Sequence, residues 1–576
     1  MKHGSFPNAS GEVLVERWLH HAAARPDDEA LVHWVAGEER FAWTWKELLR
    51  AAAGFVRTLR QHGVGRGDVC ALIIRHHRDF YPLYIAVAAL GALPAVLAYP
   101  NPRLHPDKFR QGLAGMAQRS GLDWVLTEQS LDDMVRPLSL AAHSTVKGIL
   151  YPLEWRREAG TATLNDLRDA SITPDDPCLL QHSSGTTGLQ KPVMLTHRNV
   201  LEHLDRYGRA IALTSADKVV SWLPLYHDMG LIAAFHLSLG LGVPLVQMDP
   251  FEWVQAPALF IEALAREGGT ISWLPNFAYN FMADRIRDLD PECHGMRLDQ
   301  VRLLINCSEP VRADSHEKFA SRLAAMGLKR GALATCYAMA ETTFAVTQST
   351  PGVEPVQVEA DRNNLALGFY QPAASVPESR TCLSSGRLIP GCELKIVNAK
   401  GKELPDGAIG EMLIRSVSMF EGYRNNPEQT STVLKDGWYH SGDYGFRLDG
   451  EHFVIGRKKD LIIVAGKNLY PEDIEDAIAA VPGVIAGRIV AFGIDNAATG
   501  TEEIGVVAET IEKDPAGIKA LRLAIMQAAM RIDVTVTRVY LAPPRWLVKS
   551  SSGKPSRPVN RQRALTELQT NGGPSL

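Results

Sequence analysis

Between Leu180 and His197 the chain reads Leu-Gln-His-Ser-Ser-Gly-Thr-Thr-Gly-Leu-Gln-Lys-Pro-Val-Met-Leu-Thr-His: two apolar runs around a centre of hydroxyls and glycines. Ser183, Ser184, Gly185, Thr186, Thr187 and Gly188 supply hydroxyls and unhindered backbone N–H groups, and Lys191 adds an ammonium. Those are the donors a phosphate chain needs. The spacing excludes a Walker loop, in which the lysine directly follows a glycine and opens a helix. Here Lys191 stands three residues after Gly188 and leads through Pro192 into Val193 to Leu195. The stretch therefore reads as strand, loop, strand, and no helix N-terminus lends its field to the site. The competing reading is a surface hairpin, because Ser, Thr and Gly mark turns of every kind.

A chain of 576 residues, 45% hydrophobic and 22% charged, buries large cores and divides into several domains or subdomains. A net charge of -4 argues against nucleic-acid binding through bulk electrostatics and favours small-molecule chemistry. The seven cysteines contain no Cys-x-x-Cys pair, so neither a zinc site nor a disulfide framework is expected, and a reducing cytoplasm fits. The first eleven residues lack a basic segment followed by an apolar core, so no secretory signal is read there. Phe80 to Pro100 carries no charge over about 20 residues, formally enough to span a membrane. Pro82, Gly91, Pro94 and Pro100 interrupt it, so the expectation is a buried helix to Leu90, a stop at Gly91 and a buried strand around Ala95 to Ala98.

From Glu12 to about Asp169, amphipathic helices (Val13 to Ala24, Trp45 to His62) alternate with short apolar strands (Cys70 to Ile74, Trp124 to Leu126). This is the pattern of a layered α/β fold. Three later stretches place polar turns after apolar strands: Leu223 to Leu231, with His227 and Asp228 at its centre; Asn306 to Pro310; and Tyr337 to Thr343. Ligands of open α/β sheets bind beyond the carboxyl ends of the strands, so these turns and the phosphate loop suggest one cleft. His227 and Asp228 read either as an acid–base pair or as pocket-wall residues. Glu341 reads either as a Mg²⁺ ligand or as an exposed turn glutamate.

Thr343 to Gly386 is rich in proline, glycine and polar residues, which predicts a long loop, functional or disordered. Beyond it, Glu393 to Val397, Gly410 to Ile414 and Phe453 to Ile455 are strand-like. Asp443, in Trp438 to Asp443, could accept from both hydroxyls of a ribose. Gly456 to Asp460 is a charged link that separates residues 1–456 from a smaller α+β unit, 461–576, with the hinge at 457–460. That unit opens a helix at Tyr470 and Pro471, with acids over the positive end of its dipole. It closes on Lys549 to Lys554 and a basic run, Arg557 to Arg563, whose simplest reading is a flexible terminus.

Together these pieces resemble the adenylate-forming superfamily of acyl-CoA synthetases, adenylation domains and luciferases over nearly the whole chain, and within it most closely the fatty acyl-AMP ligases. The superfamily motifs are matched by Ser183 to Lys191, Tyr337 to Thr342, Asp443 and Ser551 to Lys554. The branch is matched by Leu223 to Leu231, Pro275 to Tyr279, Asn306 to Val311 and Gly456 to Glu475. The segment after Thr343 falls where these ligases carry an insertion thought to disfavour free CoA. Departures are Gln190 and Pro192 where proline and glycine are usual, Cys307 where glycine is common, and Trp273-Leu274 where side chains are often small.

The resemblance implies a large N-terminal AMP-binding domain and a small mobile C-terminal domain carrying the catalytic lysine. It implies ATP and Mg²⁺, formation of fatty acyl-AMP with release of pyrophosphate, and transfer to the thiol of a holo acyl carrier protein of a polyketide or nonribosomal peptide pathway. By it, Lys554 reaches the carboxylate and α-phosphate, Glu341 holds Mg²⁺, and Thr342 and the loop hydroxyls bind phosphate. Lys191 faces pyrophosphate, Asp443 and Arg457 hold the ribose, and Tyr337 belongs to the metal and phosphate motif. Ser308, Glu309 and Pro310 border the adenine, and His227 stands at the junction with the acyl tunnel, which Trp273 shortens. The alternatives are an acyl- or aryl-CoA ligase and a nucleotide-binding protein without turnover.

Overall fold

A computed structural model describes residues 11–100, 106–140, 144–155, 162–183, 190–286, 295–375, 379–464, 467–496, 501–549 and 555–568. Its largest element is a nine-stranded sheet. Six strands run parallel in the order Glu29–Trp34, Leu245–Met248, Val219–Ser221, Ile271–Leu274, Leu303–Asn306, Leu333–Ala338. Phe41–Thr44 closes one edge antiparallel, and Ala345–Gln348 followed by Arg387–Leu388 closes the other. Leu245–Met248, Ile271–Leu274 and Leu303–Asn306 are buried at every position, as strands of a parallel sheet covered on both faces must be. The mixed α/β class expected from the alternation is the class observed.

Leu93–Val96, Val69–Ile73, Trp124–Thr127 and Gly148–Leu150 form a second parallel sheet in that order. The uncharged stretch resolves into a helix at Phe80–Ala89, buried at all ten positions, a left-handed Gly91 (φ 67°) and Leu93–Val96. The strand comes two residues earlier than expected. Among the described residues no helix is long and apolar enough to cross a membrane.

Pro177–Ser183 and Lys191–Thr196 pair antiparallel, and Gly422–Tyr423 adds a third strand against the second. Cys392–Val397, Gly410–Ser416, Trp438–Leu448, Leu434–Lys435 and Glu451–Arg457 form a five-stranded antiparallel sheet. Arg457 is the cross-strand partner of Asp443. The charged link is therefore shorter than the sequence suggests: Arg457 still belongs to the ladder, and a single 3-10 turn, Lys458–Asp460, follows.

The expected long loop after Thr343 is corrected. Ala345–Gln348 joins the large sheet, and Gln357–Asp361 pairs with Ser379–Leu383 around the short helix Arg362–Ala366. Gln357–Asp361 alternates polar and apolar residues, but over five positions only and inside a stretch dominated by proline, glycine and polar residues, and only Ala360 of the five is buried. Ala360, Leu365 and Cys382 instead pack against Phe446, Phe453, Ile455 and Tyr470.

Val484–Asn496, Thr501–Thr510 and Val536–Ala542 form the last sheet, with helices Pro471–Ala479 and Pro515–Met530 beside it. The basic run is likewise not a loose terminus. Arg557–Arg563 is helical, and the half-buried Arg557 donates to Glu475, to Glu472 Oε1 (2.9 Å) and to the Ala491 carbonyl (3.1 Å). A guanidinium can saturate several acceptors in one plane, which is how this one is held inside. Fully buried Asn560 ties the two segments flanking 550–554 together: its Nδ2 donates to the Val548 and Ser556 carbonyls (2.9 Å each) and its Oδ1 accepts from the Val548 N–H (2.8 Å).

Candidate active site

The three polar turns follow Val219–Ser221, Leu303–Asn306 and Leu333–Ala338, all parallel strands of the large sheet, with Ile271–Leu274 between the first two. The turns thus lie where such sheets bind ligands, beyond the strand carboxyl ends. The last strand runs on through Tyr337 and Ala338, so Tyr337 projects from a strand and not from a turn.

Ser183 and Lys191 are cross-strand partners closing the base of the loop hairpin. Ser184, Gly185, Thr186, Thr187 and Gly188 lie outside the described residues, as does Lys554. Gln181 Nε2 donates to the Tyr226 carbonyl (3.0 Å), tying this hairpin to the His227 turn. His227 Nδ1 stands 2.7 Å from Asp228 Oδ1, which accepts from the Met229 N–H (2.8 Å) and so caps the helix Met229–His236. Residue 230 must be glycine, because a Cβ there would meet the Pro224 carbonyl oxygen at 2.4 Å.

Ser308 adopts a left-handed backbone (φ 67°), and its Oγ lies 4.0 Å from Met229 Sδ, which joins the second turn to the first. Glu309 accepts from the Phe277 N–H (2.9 Å), and Pro310 follows at the exposed rim. Thr342 is fully buried and its hydroxyl hydrogen points to the Met339 and Phe344 carbonyls (3.1 and 3.0 Å). In this arrangement its side chain shapes the turn, and a phosphate would need that hydrogen redirected. Trp273 and Leu274 are fully buried, and the Trp273 indole donates to the Tyr207 hydroxyl (2.8 Å), which donates to Gln348 (3.0 Å). The indole is a pinned part of the core.

Two carboxylates, Asp443 and Glu341, are buried beside these turns. Asp443 accepts from the Tyr337 hydroxyl at 2.6 Å through Oδ2 and pairs with Arg457 Nε at 2.9 Å through Oδ1. Asp443 in turn raises the pKa of Arg457 and holds it charged. Burial, reinforced by Asp443, raises the Tyr337 pKa and keeps that phenol a donor.

Glu341, 6% exposed, accepts from the Tyr423 hydroxyl at 2.7 Å, and its own carbonyl accepts from the Phe420 N–H at 2.8 Å. Lys191 Nζ sits 4.9 Å from the centroid of the same Tyr423 ring. Burial lowers the Lys191 pKa, Glu341 raises it and Arg457 lowers it further, so the two clusters lie within electrostatic reach. Lys459, in the 3-10 turn, is lowered to about 8, chiefly by burial. Among the described residues no three His, Cys, Asp or Glu side chains gather as a ready-made metal cage. A lone buried carboxylate does fit Mg²⁺, an ion usually held by one or two carboxylates together with phosphates.

Sequence reasoning missed Tyr423 and gave Tyr439 no role. Tyr439 is buried beside Tyr423, Glu341 and Asp443, all of which raise its pKa after burial itself. Tyr423 reaches the loop only because Gly422–Tyr423 pairs with Val193 and Met194, a contact that no local pattern announces.

The AMP-binding enzyme family model matches residues 18–424. A long-chain-fatty-acid–AMP ligase of Mycolicibacterium smegmatis is 31% identical, covering 97% of this chain and 95% of its own. A structure from work on fatty acyl-adenylate ligases of E. coli and L. pneumophila is similar at TM-score 0.86 and 25% identity, covering 97% of this chain and 99% of that one. The L. pneumophila ligase in complex with acyl adenylate and pyrophosphate is similar at TM-score 0.72 and 26% identity, covering 96% of each chain.

Proposed function

The chain belongs to the AMP-binding enzyme family, in its fatty acyl-AMP ligase branch, and on that footing we propose that it activates a fatty acid as acyl-AMP and passes the acyl group to the phosphopantetheine thiol of an acyl carrier protein. The observation that carries the site assignment is the meeting of Asp443, Tyr337 and Arg457 with Glu341, Tyr423 and Lys191 beside the loop hairpin.

In the first step the fatty carboxylate attacks the α-phosphorus of ATP. An acyl-oxygen–phosphorus bond forms, the bond from the α-phosphorus to its bridging oxygen breaks, and pyrophosphate leaves. The protein's work is to bring negative groups together and hold them in line. Lys191 and the loop hydroxyls face the departing pyrophosphate. Asp443 accepts from the ribose hydroxyls, and because both its oxygens are engaged, the ribose enters by sharing or displacing Arg457. Ser308, Glu309 and Pro310 border the base, and His227 stands where the acyl group meets the nucleotide. Mg²⁺, held by Glu341, would neutralise phosphate charge when bound. Lys554 supplies a flexible point charge to the reacting carboxylate and α-phosphate.

In the second step the unit after the Lys458–Asp460 turn rotates so that Lys554 leaves and the thiol enters; attack on the acyl carbonyl releases AMP. The acceptor is tested by offering purified protein CoA and a holo acyl carrier protein together with ATP, Mg²⁺ and a fatty acid, and weighing the products by mass spectrometry. Acyl-carrier thioester without acyl-CoA is expected. Acyl-CoA as the main product contradicts the carrier assignment and leaves the adenylation step standing.

A further inference from the structure

An ammonium and a carboxylate placed in one buried site to receive a ligand attract each other while the site is empty, and the less water reaches them the stronger the pull. Lys191 and Glu341 are such a pair, and their mutual attraction registers on the lysine. Among the described residues no ion pair joins them. Tyr423 stands between: its hydroxyl donates to Glu341 Oε1 at 2.7 Å, and the face of its ring takes Lys191 Nζ at 4.9 Å from the centroid.

Tyr423 is itself firmly seated. It is 3% exposed, pairs through its main chain with Val193, donates its N–H to Thr430 Oγ1 (3.0 Å) and packs edge-on against Phe420 (5.0 Å between centroids). Two residues from Lys191, the strand bearing the lysine holds the tyrosine. Three residues before Tyr423, Phe420 holds the Glu341 main chain. One short segment thus fixes both charges.

We propose that Tyr423 is a positioning residue that keeps Lys191 and Glu341 apart in the empty site, so that the ammonium meets an incoming polyphosphate, and the carboxylate the cation that accompanies it, unpaired. The phenol satisfies one carboxylate oxygen without cancelling its charge, and the ring face accommodates the ammonium without neutralising it. The ring contact yields to phosphate oxygens more readily than a desolvated ion pair would, and the phenol keeps its hold on the carboxylate. Only the identity of the polyphosphate rests on the adenylation reading.

The test compares the wild type with Tyr423→Phe, which keeps the ring and loses the hydroxyl, and with Tyr423→Leu and Tyr423→Met, which lose both. Crystal structures without nucleotide are expected to show Lys191 Nζ over the ring in wild type and Tyr423→Phe, and in salt-bridge contact with Glu341 in the leucine or methionine variant. Calorimetry should show Mg-ATP and pyrophosphate binding weakened about 10-fold in Tyr423→Phe, the scale of one hydrogen bond to a charged group. It should be weakened about 10²-fold once the ring too is gone. Lys191 and Glu341 still apart in both ring-less variants, or ring-less variants binding no worse than Tyr423→Phe, overturns the proposal. The methionine variant keeps much of the volume and serves if the leucine one fails to fold. A wild type that binds Mg-ATP but adenylates nothing contradicts the proposed function, and the position of Lys191 still decides this inference.

Discussion

Asp443 and Glu341 are both buried carboxylates that accept from a tyrosine hydroxyl, at 2.6 Å from Tyr337 and 2.7 Å from Tyr423, and both have a cation close by. At Asp443 the cation is in contact: Arg457 is its cross-strand partner, and the ladder itself brings guanidinium and carboxylate to 2.9 Å. At Glu341 the cation rests on the tyrosine ring instead. The same three ingredients therefore make a closed pair in one place and an open pair in the other. A ribose presents neutral hydroxyls, which can share a carboxylate already paired. A polyphosphate brings several negative charges and needs the ammonium uncommitted.

That contrast is broken most sharply by removing the open carboxylate. Glu341→Gln is expected to slow fatty-acid-dependent ATP–pyrophosphate exchange about 10²- to 10³-fold, the usual cost of losing one transition-state contact. Lys191→Met should slow it about 10²-fold by the same measurement, because the departing pyrophosphate gains charge as the bond breaks. Asp443→Asn belongs to the closed pair and should act differently. A contact to ribose is made equally before and during reaction, so KM for ATP should rise about 10-fold with kcat nearly kept. If Asp443→Asn and Glu341→Gln show the same split between KM and kcat, the contrast fails.

The smallest effects concern stability. Arg457→Met leaves a buried carboxylate short of a partner and should cost about 1–2 kcal/mol. Lys191→Met gives up only a cation–ring contact, worth about 0.5–1 kcal/mol. Thermal unfolding of the two variants side by side checks this: Lys191→Met should be the more stable one.

The parts of this site visible in the sequence were those whose residues sit together in the chain. Asp228, Glu341 and Asp443 each lie in a short polar turn or strand whose composition marks it, and the hairpin around Ser183 and Lys191 is bounded by its own apolar runs. What the sequence hid were lateral pairings. Tyr423 meets Lys191 through a two-residue strand docked some 230 positions away, and Arg457 meets Asp443 across a ladder. The strand Gln357–Asp361 escaped because its alternation spans only five residues inside a proline-, glycine- and polar-rich stretch, and the helix Arg557–Arg563 because a run of basic residues gives no hint that Arg557 turns inward to two glutamates. Periodicity reports burial against a large core, and these elements are held by ladders and ion pairs instead.

Fatty-acid-dependent exchange of labelled pyrophosphate into ATP, run over a ladder of fatty acids on the full-length protein, tests the account most directly. Exchange is expected to require a fatty acid, to peak within a band of chain lengths and to be nearly abolished in Glu341→Gln. No exchange at any chain length, or exchange indifferent to the fatty acid, would contradict it.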